Sequence, residues 1–151
     1  LVGDPQGLTA FLRGIGDTQT RSDRHEPEMN QFAAGDPRDT TTPAAMALTL
    51  RTLLLGDALQ PASRKQLSDW MIDNRTGDTC LRAGLPRSWK IGDKTGSNGI
   101  DTRNDIAILW PPKGRAPLLL TTYVNGASVD SDARDAALKA VAHAVASYVS
   151  V

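Results

Sequence analysis

The chain has 151 residues, of which 40% are hydrophobic and 23% are charged, a composition typical of one globular domain and not of a disordered chain. Its 17 basic and 17 acidic residues balance, which argues against the concentrated basic surface of a nucleic-acid or membrane-surface binder and leaves a small anionic ligand open. We expect the single cysteine, Cys80, to be buried and unpaired. No Cys/His spacing predicts a metal site, no cofactor is expected, and the apolar runs are too short to span a bilayer.

Apolar residues at helical spacing predict a first helix that ends near Gly14; they are Leu8, Phe11, Leu12 and Ile15. Residues 17–40 then lack periodicity, and a loop of this length in a compact domain is usually functional. A second helix is predicted to begin at Thr42 and Pro43 and to end at Gly56. A third covers about residues 61–73, and its inward side chains are expected to be Leu67, Trp70 and Met71.

Three β-strands are predicted over residues 89–97, 105–110 and 117–125. Their short connections indicate an antiparallel meander. A last helix is expected from about Ser131, with a buried stripe of Leu138, Val141, Ala142, Val145 and Val149. Helices, then a sheet, then a covering helix give an α+β order.

The long loop carries an acidic motif, Arg24-His25-Glu26-Pro27-Glu28-Met29-Asn30. Because the residue before a proline is biased toward extended backbone, Glu26 can be held facing a cleft. With the amide of Asn30 beside it, the carboxylate could act as a general base through one water molecule. A solvated acidic loop explains the same residues, since Asp and Glu are mostly exposed.

Lys94-Thr95-Gly96-Ser97 lies on the first predicted strand. On a strand that lines a cleft, Lys94 supplies a fixed positive charge, Thr95 a hydroxyl donor, and Gly96 a bare backbone that a ligand can approach closely. Serine acylases that open β-lactam rings carry this triad near their nucleophile. Alone, a three-residue motif is a weak signal.

Taken together, the motifs resemble the class A serine β-lactamases. These are Arg24-x-Glu26-Pro27-x-x-Asn30, then Gly-Asp-Pro-Arg-Asp-Thr-Thr-Thr-Pro at 35–43, then Lys94-Thr95-Gly96-Ser97. Their order and spacing match along essentially the whole chain, and the branch with broad cephalosporinase activity is the most similar. The resemblance implies a three-layer α/β sandwich of the serine β-lactamase type, an α+β fold.

The resemblance also implies roles for single residues of the loop, called the omega loop in this family and here residues 17–40. Glu26 would be the base that activates the deacylating water, with Asn30 helping to hold that water. Arg24 and Asp39 would form the ion pair that closes the neck of the loop. Lys94 would raise the positive potential of the cleft.

Substrate-binding residues follow from the resemblance in the same way. Thr95 and Ser97 would bind the substrate carboxylate, and the backbone N–H of Ser97 would donate to the oxyanion. Gly96 and Asn98 complete the strand end, and Arg103 occupies a position where many members place a carboxylate-binding arginine. Behind the strand, the supporting partners would be Asn74 and Asp93. A surface charge at Arg103 and a polar helix end at Asn74 explain those two residues equally well.

The family nucleophile lies in a Ser-x-x-Lys motif, and a Ser-Asp-Asn loop follows it; neither is present in these residues. Both precede the position of Leu1 in the family. We therefore expect residues 1–151 to be the C-terminal portion of one domain, with helices and loop over about 1–87 and strands and last helix over about 88–151. The expected partners are a β-lactam antibiotic and an N-terminal half, and the location is periplasmic or secreted, directed by a signal peptide on that half.

Two other functions fit part of the pattern. A non-catalytic module could bind a carboxylate or β-lactam ligand on the strand that carries Lys94 and Thr95. A penicillin-binding transpeptidase would share the Lys-Thr-Gly motif. It would not usually carry the Glu26-Pro27-x-x-Asn30 loop, and that loop favours the β-lactamase.

Overall fold

The computed structural model describes residues 2–149. Its α-helices are α1 (Pro5–Gly14), α2 (Pro43–Leu54), α3 (Pro61–Asp73) and α4 (Ser131–Val149), and its strands are β1 (Lys90–Ser97), β2 (Arg103–Trp110) and β3 (Leu118–Val124). Short 3₁₀ turns lie at Glu28–Asn30 and Leu81–Gly84. Each predicted helix and strand is present, and β2 begins two residues earlier than expected. None of the described helices is long and apolar enough to cross a membrane.

Three of the helices begin after a side chain that caps them. The side-chain oxygens of Asp4, Thr42 and Asp130 each accept a hydrogen bond from the backbone N–H three residues later, at 2.6, 3.1 and 2.8 Å. Such caps satisfy amide groups that the helix leaves without a partner. Proline at the first position of α1, α2 and α3 fixes φ and loses no helical hydrogen bond. Local chemistry therefore sets where these helices start.

The sheet is antiparallel in the order β1-β2-β3, as the short connections predicted. One face packs against α2 and α3 through a cluster formed by Leu50, Leu54, Met71 and Ile108. The other face packs against α4 through a larger cluster that includes Cys80, Leu81, Ile91, Ala107, Leu109, Leu138, Ala142 and Ala146. Helices cover both faces of the sheet, which gives the three layers of the expected α+β fold.

Two side chains expected in the core are exposed. Trp70 is 66% exposed, because its neighbour Met71 is the residue of α3 that faces the sheet. On α4, the buried stripe runs through Arg134, Leu138, Ala142 and Ala146, four residues apart, so the predicted Val141 lies at its edge and is exposed. Cys80 is fully buried and unpaired, as predicted.

The 3₁₀ turn at Leu81–Gly84 packs directly on α4, and Gly84 makes the closest approach. A Cβ on Gly84 would lie 2.1 Å from the carbonyl oxygen of Lys139 and 2.9 Å from the Cβ of Ala142. Real Cβ atoms do not approach backbone oxygen so closely, so any side chain here would push the turn away from α4.

We expect Gly84→Ala to lower the free energy of unfolding by about 1 to 3 kcal/mol, because the added methyl overpacks this contact. Gly14→Ala is the matched control, since a Cβ on Gly14 at the end of α1 meets nothing within 4 Å. Urea unfolding of the two variants would measure the difference. Equal stability of both variants would contradict the close approach of the turn to α4.

Candidate active site

The neck of the omega loop is closed by the carboxylate of Asp39. Its Oδ2 accepts from Nε of Arg24 at 2.5 Å, and its Oδ1 accepts from the backbone N–H groups of Asp23 and Arg24 at 2.7 and 3.0 Å. The Asp39 side chain is only 3% exposed. Burial alone would raise the pKa of Asp39, but these hydrogen bonds and the Arg24 charge outweigh it and lower that pKa. The carboxylate thus ties the two ends of the loop together.

A second buried carboxylate, Asp17, anchors the start of the loop. It accepts from the backbone N–H groups of Gln19 and Thr20, both at 2.9 Å, and from the hydroxyls of Thr20 and Thr49. Burial opposes ionisation, yet these donors prevail and lower the pKa of Asp17 to about 2. Because Thr49 lies on α2, this contact fixes the loop to the helix layer.

Glu26 and Asn30 form a hydrogen-bonded pair near the tip of the loop. Nδ2 of Asn30 donates to Oε2 of Glu26 at 3.1 Å. The 3₁₀ turn brings the two residues together, with the backbone N–H of Asn30 donating to the carbonyl of Pro27 at 3.1 Å, and the Glu26–Pro27 peptide bond is cis. Both side chains are exposed in this chain. A water held between an amide and a carboxylate in this arrangement would be set for proton removal.

On β1, the residues of the Lys-Thr-Gly-Ser motif use their polar atoms in different ways. Lys94 is exposed, and its Nζ donates to the carbonyl of Thr95 at 2.6 Å. The hydroxyl of Thr95 lies 2.5 Å from that of Thr76. Ser97 Oγ donates to the carbonyl of Thr102 at 3.0 Å. A Cβ on Gly96 would meet only Asn104, at 3.8 Å, so packing within the chain does not require a glycine here.

Asn98, expected among the substrate-binding residues, has its side chain inside the hairpin between β1 and β2. Its Oδ1 accepts from three successive backbone N–H groups, those of Ile100, Asp101 and Thr102, at 3.0 to 3.1 Å. Its Nδ2 donates to Oδ1 of Asp101 at 2.7 Å. The polar atoms of Asn98 therefore shape the turn.

The loop and the strand enclose a common cleft of about 340 Å³. Its lining includes Asn30, Phe32 and Asp39 from the loop and Gly96, Ser97, Asn98 and Asn104 from the sheet. The structure therefore brings together Asn30 and the end of the strand, as the sequence led us to expect. Neither Glu26 nor Lys94 lines this cleft. Glu26 adjoins it through Asn30, and Lys94 lies two residues before Gly96.

Arg103 lies beneath the strand end and is bound by α4. Its Nε donates to Oδ1 of Asp135 at 2.6 Å, and its Nη2 lies 3.2 Å from the carbonyl oxygen of Thr76 and 3.0 Å from Sγ of Cys80. Thr76 also contacts Thr95, so Thr76 links the guanidinium of Arg103 to the Lys-Thr-Gly-Ser motif.

The Cys80 thiol beside Arg103 stays neutral. Burial raises its pKa, and the hydrogen bond to Asp135 raises it further, to about 11.

Asn74 and Asp93 meet behind the strand. Nδ2 of Asn74 donates to Oδ2 of Asp93 at 2.7 Å, and Arg82 binds the other oxygen of the same carboxylate. Nη2 of Arg82 also donates to the carbonyl of Asn74 at 3.2 Å. Asp93 is fully buried and directly precedes Lys94, so this group fixes the end of α3 to the functional strand.

Comparison with known proteins decides the family. Residues 1–149 match the family model described as the beta-lactamase enzyme family. The chain belongs to the β-lactamase family. It is 60% identical over 141 residues to β-lactamase L2 of Stenotrophomonas maltophilia and 51% identical over 144 residues to β-lactamase CTX-M-25 of Escherichia coli. These matches cover 93% and 95% of this chain but 46% and 49% of the relatives. The chain thus spans about half the length of the curated β-lactamases it matches.

Solved β-lactamase structures share the fold. A β-lactamase from Xanthomonas campestris superposes with a TM-score of 0.96 at 81% identity, covering 98% of this chain and 55% of that one. A reconstructed class A β-lactamase of the last common ancestor of Gram-negative bacteria gives a TM-score of 0.94 at 62% identity, covering 97% and 56%. The second similarity indicates class A, and both similarities support the three-layer fold.

The sequence did not predict several contacts of this β-lactamase site. Thr76 contacts Thr95, Asp135 binds Arg103, and Arg82 binds Asp93. The partners in these pairs are 11 to 32 residues apart, so no local pattern links them. One signal was available: Asp105 directly precedes the apolar run Ile106-Ala107-Ile108-Leu109 on a central strand, where a carboxyl group needs a reason to be buried.

We expect Asp39→Asn to loosen the neck of the omega loop, because the amide removes the ionic bond to Arg24 and one acceptor oxygen. Loss of charge-assisted hydrogen bonds costs about 2 kcal/mol. Hydrogen exchange of the amides in residues 17–40 should therefore become faster. Since the pKa of Asp39 is lowered from 3.8, its stabilising effect is present above about that pH and is lost at lower pH, and the variant should lack this acid sensitivity.

Asp36→Asn provides the matched control for the loop neck. Asp36 pairs with the exposed Arg38 within the same loop, and such surface pairs contribute about 0 to 1 kcal/mol. Equal exchange rates in the two variants would show that Asp39 does not hold the neck.

Proposed function

We propose that this chain supplies the deacylation base and the carboxylate-binding strand of a serine β-lactamase, and that a preceding segment carrying Ser-x-x-Lys supplies the nucleophile. The observation that carries the proposal is the Glu26–Asn30 pair, 3.1 Å apart, on a loop that shares a cleft with Gly96 and Ser97. A proton acceptor beside a cleft that a hydroxyl-bearing strand lines suits acyl transfer to water.

In the first step, the serine of the preceding segment attacks the lactam carbonyl. The carbon–nitrogen bond of the ring breaks, and the proton that leaves the serine passes to the ring nitrogen. The backbone N–H of Ser97 stabilises the negative oxygen of the intermediate. The hydroxyl of Thr95 and the charge of Lys94 hold the substrate carboxylate, and Arg103, whose charge is shared with Asp135, adds to the positive field.

In the second step, the carboxylate of Glu26 removes a proton from a water molecule that Asn30 helps to hold. The resulting hydroxide attacks the acyl carbon, and the serine leaves with the proton. The ring-opened acid is released and the serine is restored. The substrates are penicillins and cephalosporins, and the consequence for the bacterium is antibiotic resistance.

The proposed N-terminal half finds support at the cleft. The proposal gives Glu26 and Lys94 roles in the reaction, yet both side chains are exposed in the described residues. A second wall, supplied by the preceding segment, would complete the cleft over them. We place the whole enzyme in the periplasm or outside the cell.

The decisive variant is Glu26→Ala in the whole enzyme. Without its base the acyl-enzyme forms but does not hydrolyse, and turnover should fall by roughly 10²- to 10⁴-fold. Mass spectrometry should show the protein carrying one intact drug. Glu28→Ala, two residues along the same loop, is the control and should turn over normally. Normal turnover of Glu26→Ala would refute the role of Glu26, and drug binding without any hydrolysis by the unaltered enzyme would indicate a non-catalytic module.

The proposed steps use only side chains, a backbone amide and water. A chelator should therefore leave the hydrolysis rate of the whole enzyme unchanged. A loss of activity that added zinc restores would contradict the serine mechanism.

A further inference from the structure

Two carboxyl groups, Asp93 and Asp105, are fully buried beneath strand β1. They lie side by side at Gly77: a Cβ on this glycine would be 2.1 Å from Oδ2 of Asp93 and 3.3 Å from Oδ2 of Asp105. Because Gly77 has no side chain, there is room beside it for the two carboxyl oxygens. Like charges at such a site, away from water, repel strongly, so the pair cannot easily carry two charges.

The two groups have unequal partners. Asp93 is bound by the guanidinium of Arg82 and by the amide of Asn74 at 2.7 Å. Asp105 has one hydrogen bond to its carboxyl group, from the backbone N–H of Leu81 to Oδ2 at 3.2 Å, and its buried Oδ1 has no partner among the residues described. A charged oxygen without a partner is far more costly to bury than a neutral one, so the charge belongs on Asp93.

The other charged or titratable groups around Asp105 do not form hydrogen bonds that would stabilise a negative charge on it. Arg103, on the same strand, gives its hydrogen bonds to Asp135 of α4 and to Thr76 and Cys80. Arg82 of the 3₁₀ turn binds Asp93, and Cys80 stays neutral. Burial first, and the charge of Asp93 second, raise the pKa of Asp105 to about 7.

The two carboxyl groups lie next to the Lys-Thr-Gly-Ser motif. Asp93 directly precedes Lys94, and Asp105 is opposite Thr95 in the register between β1 and β2. An extra charge on Asp105 would therefore act directly under the two residues that are to hold the substrate.

We propose that Asp105 keeps its proton in weakly acidic solution while Asp93 is ionised, so that the pair carries one negative charge, matched by Arg82. Asp105 is then a positioning residue: its neutral state keeps β1 in place under Lys94 and Thr95. When Asp105 loses its proton to solvent at alkaline pH, a second, unmatched charge loosens this part of the strand. The consequence for catalysis rests on the proposed β-lactamase function, whereas the protonation state does not.

The first test follows stability with pH in the full protein that contains this chain. The proton on Asp105 stabilises the fold fully below about pH 4, the range of an ordinary aspartate, and this stabilisation is lost as the pH rises through about 7. Asp105→Asn is neutral at every pH, so its urea midpoint should fall less than that of the unaltered protein over this interval.

Asp57→Asn is the matched control, because Asp57 is fully exposed and loses the same charge. It should follow the unaltered protein. An unchanged pH slope in Asp105→Asn would overturn the proposal.

The second test is spectroscopic and needs no variant. With carbon-13-labelled aspartate, infrared spectra of the unaltered protein at about pH 6 should show the carbonyl band of a protonated carboxyl group, and this band should vanish at about pH 9. Its absence at the lower pH would overturn the proposal even if Asp105→Asn failed to fold.

A third measurement concerns catalysis. The kcat/KM of the unaltered enzyme should decline on the alkaline side as Asp105 ionises, and Asp105→Asn should lack this decline. If Asp105 carries a proton but kcat/KM does not decline at alkaline pH, Asp105 has no positioning role. An unaltered enzyme that hydrolyses no β-lactam at any pH would refute the proposed function and leave the stability and infrared results to stand alone.

Discussion

The bond between the Asp39 carboxylate and the two ends of its loop is the contact on which the candidate site depends. Residues 17–40 contain only one short 3₁₀ turn, so the loop has little regular hydrogen bonding of its own. Ordering such a segment is entropically costly. Asp39 at the neck and Asp17 at the start offset this cost with seven hydrogen bonds from backbone, hydroxyl and guanidinium donors. These carboxylates therefore help to fix the position of Glu26.

The residues of the Lys-Thr-Gly-Ser motif are held by regular secondary structure instead. Thr95, Gly96 and Ser97 belong to an edge strand whose backbone is paired with β2 along its full length. Behind the strand, α3 and the turn at 81–84 are joined to it through Asp93. The carboxylate of Glu26 on the anchored loop and the polar groups of β1 therefore lie on two separate elements. The geometry of the cleft then depends on how the loop sits against the sheet.

Much of this fold could be predicted from sequence because its signals are local. Prolines and capping side chains mark the starts of α1, α2 and α4, and short connections define the meander. Burial was harder to assign: Trp70 and Met71 are adjacent and similarly apolar, and only packing decides which one faces the sheet. The family motif located Glu26, Asn30 and the strand. Contacts such as Asp135 with Arg103, 32 residues apart, arise from the tertiary fold and leave no local pattern.

In the hairpin between β1 and β2, one side chain holds the turn, and a neighbouring side chain is not needed for its shape. Asn98 closes this turn by binding successive backbone amides, and Ile100 at its tip is 77% exposed. The shape of the turn therefore owes nothing to the isoleucine side chain. Ile100 lines a pocket beside the cleft together with Asn30 and Ser97, so its replacement alters that surface while strand β1 stays where it is. A substitution at this exposed position can therefore change the surface beside the cleft without disturbing the turn that Asn98 closes.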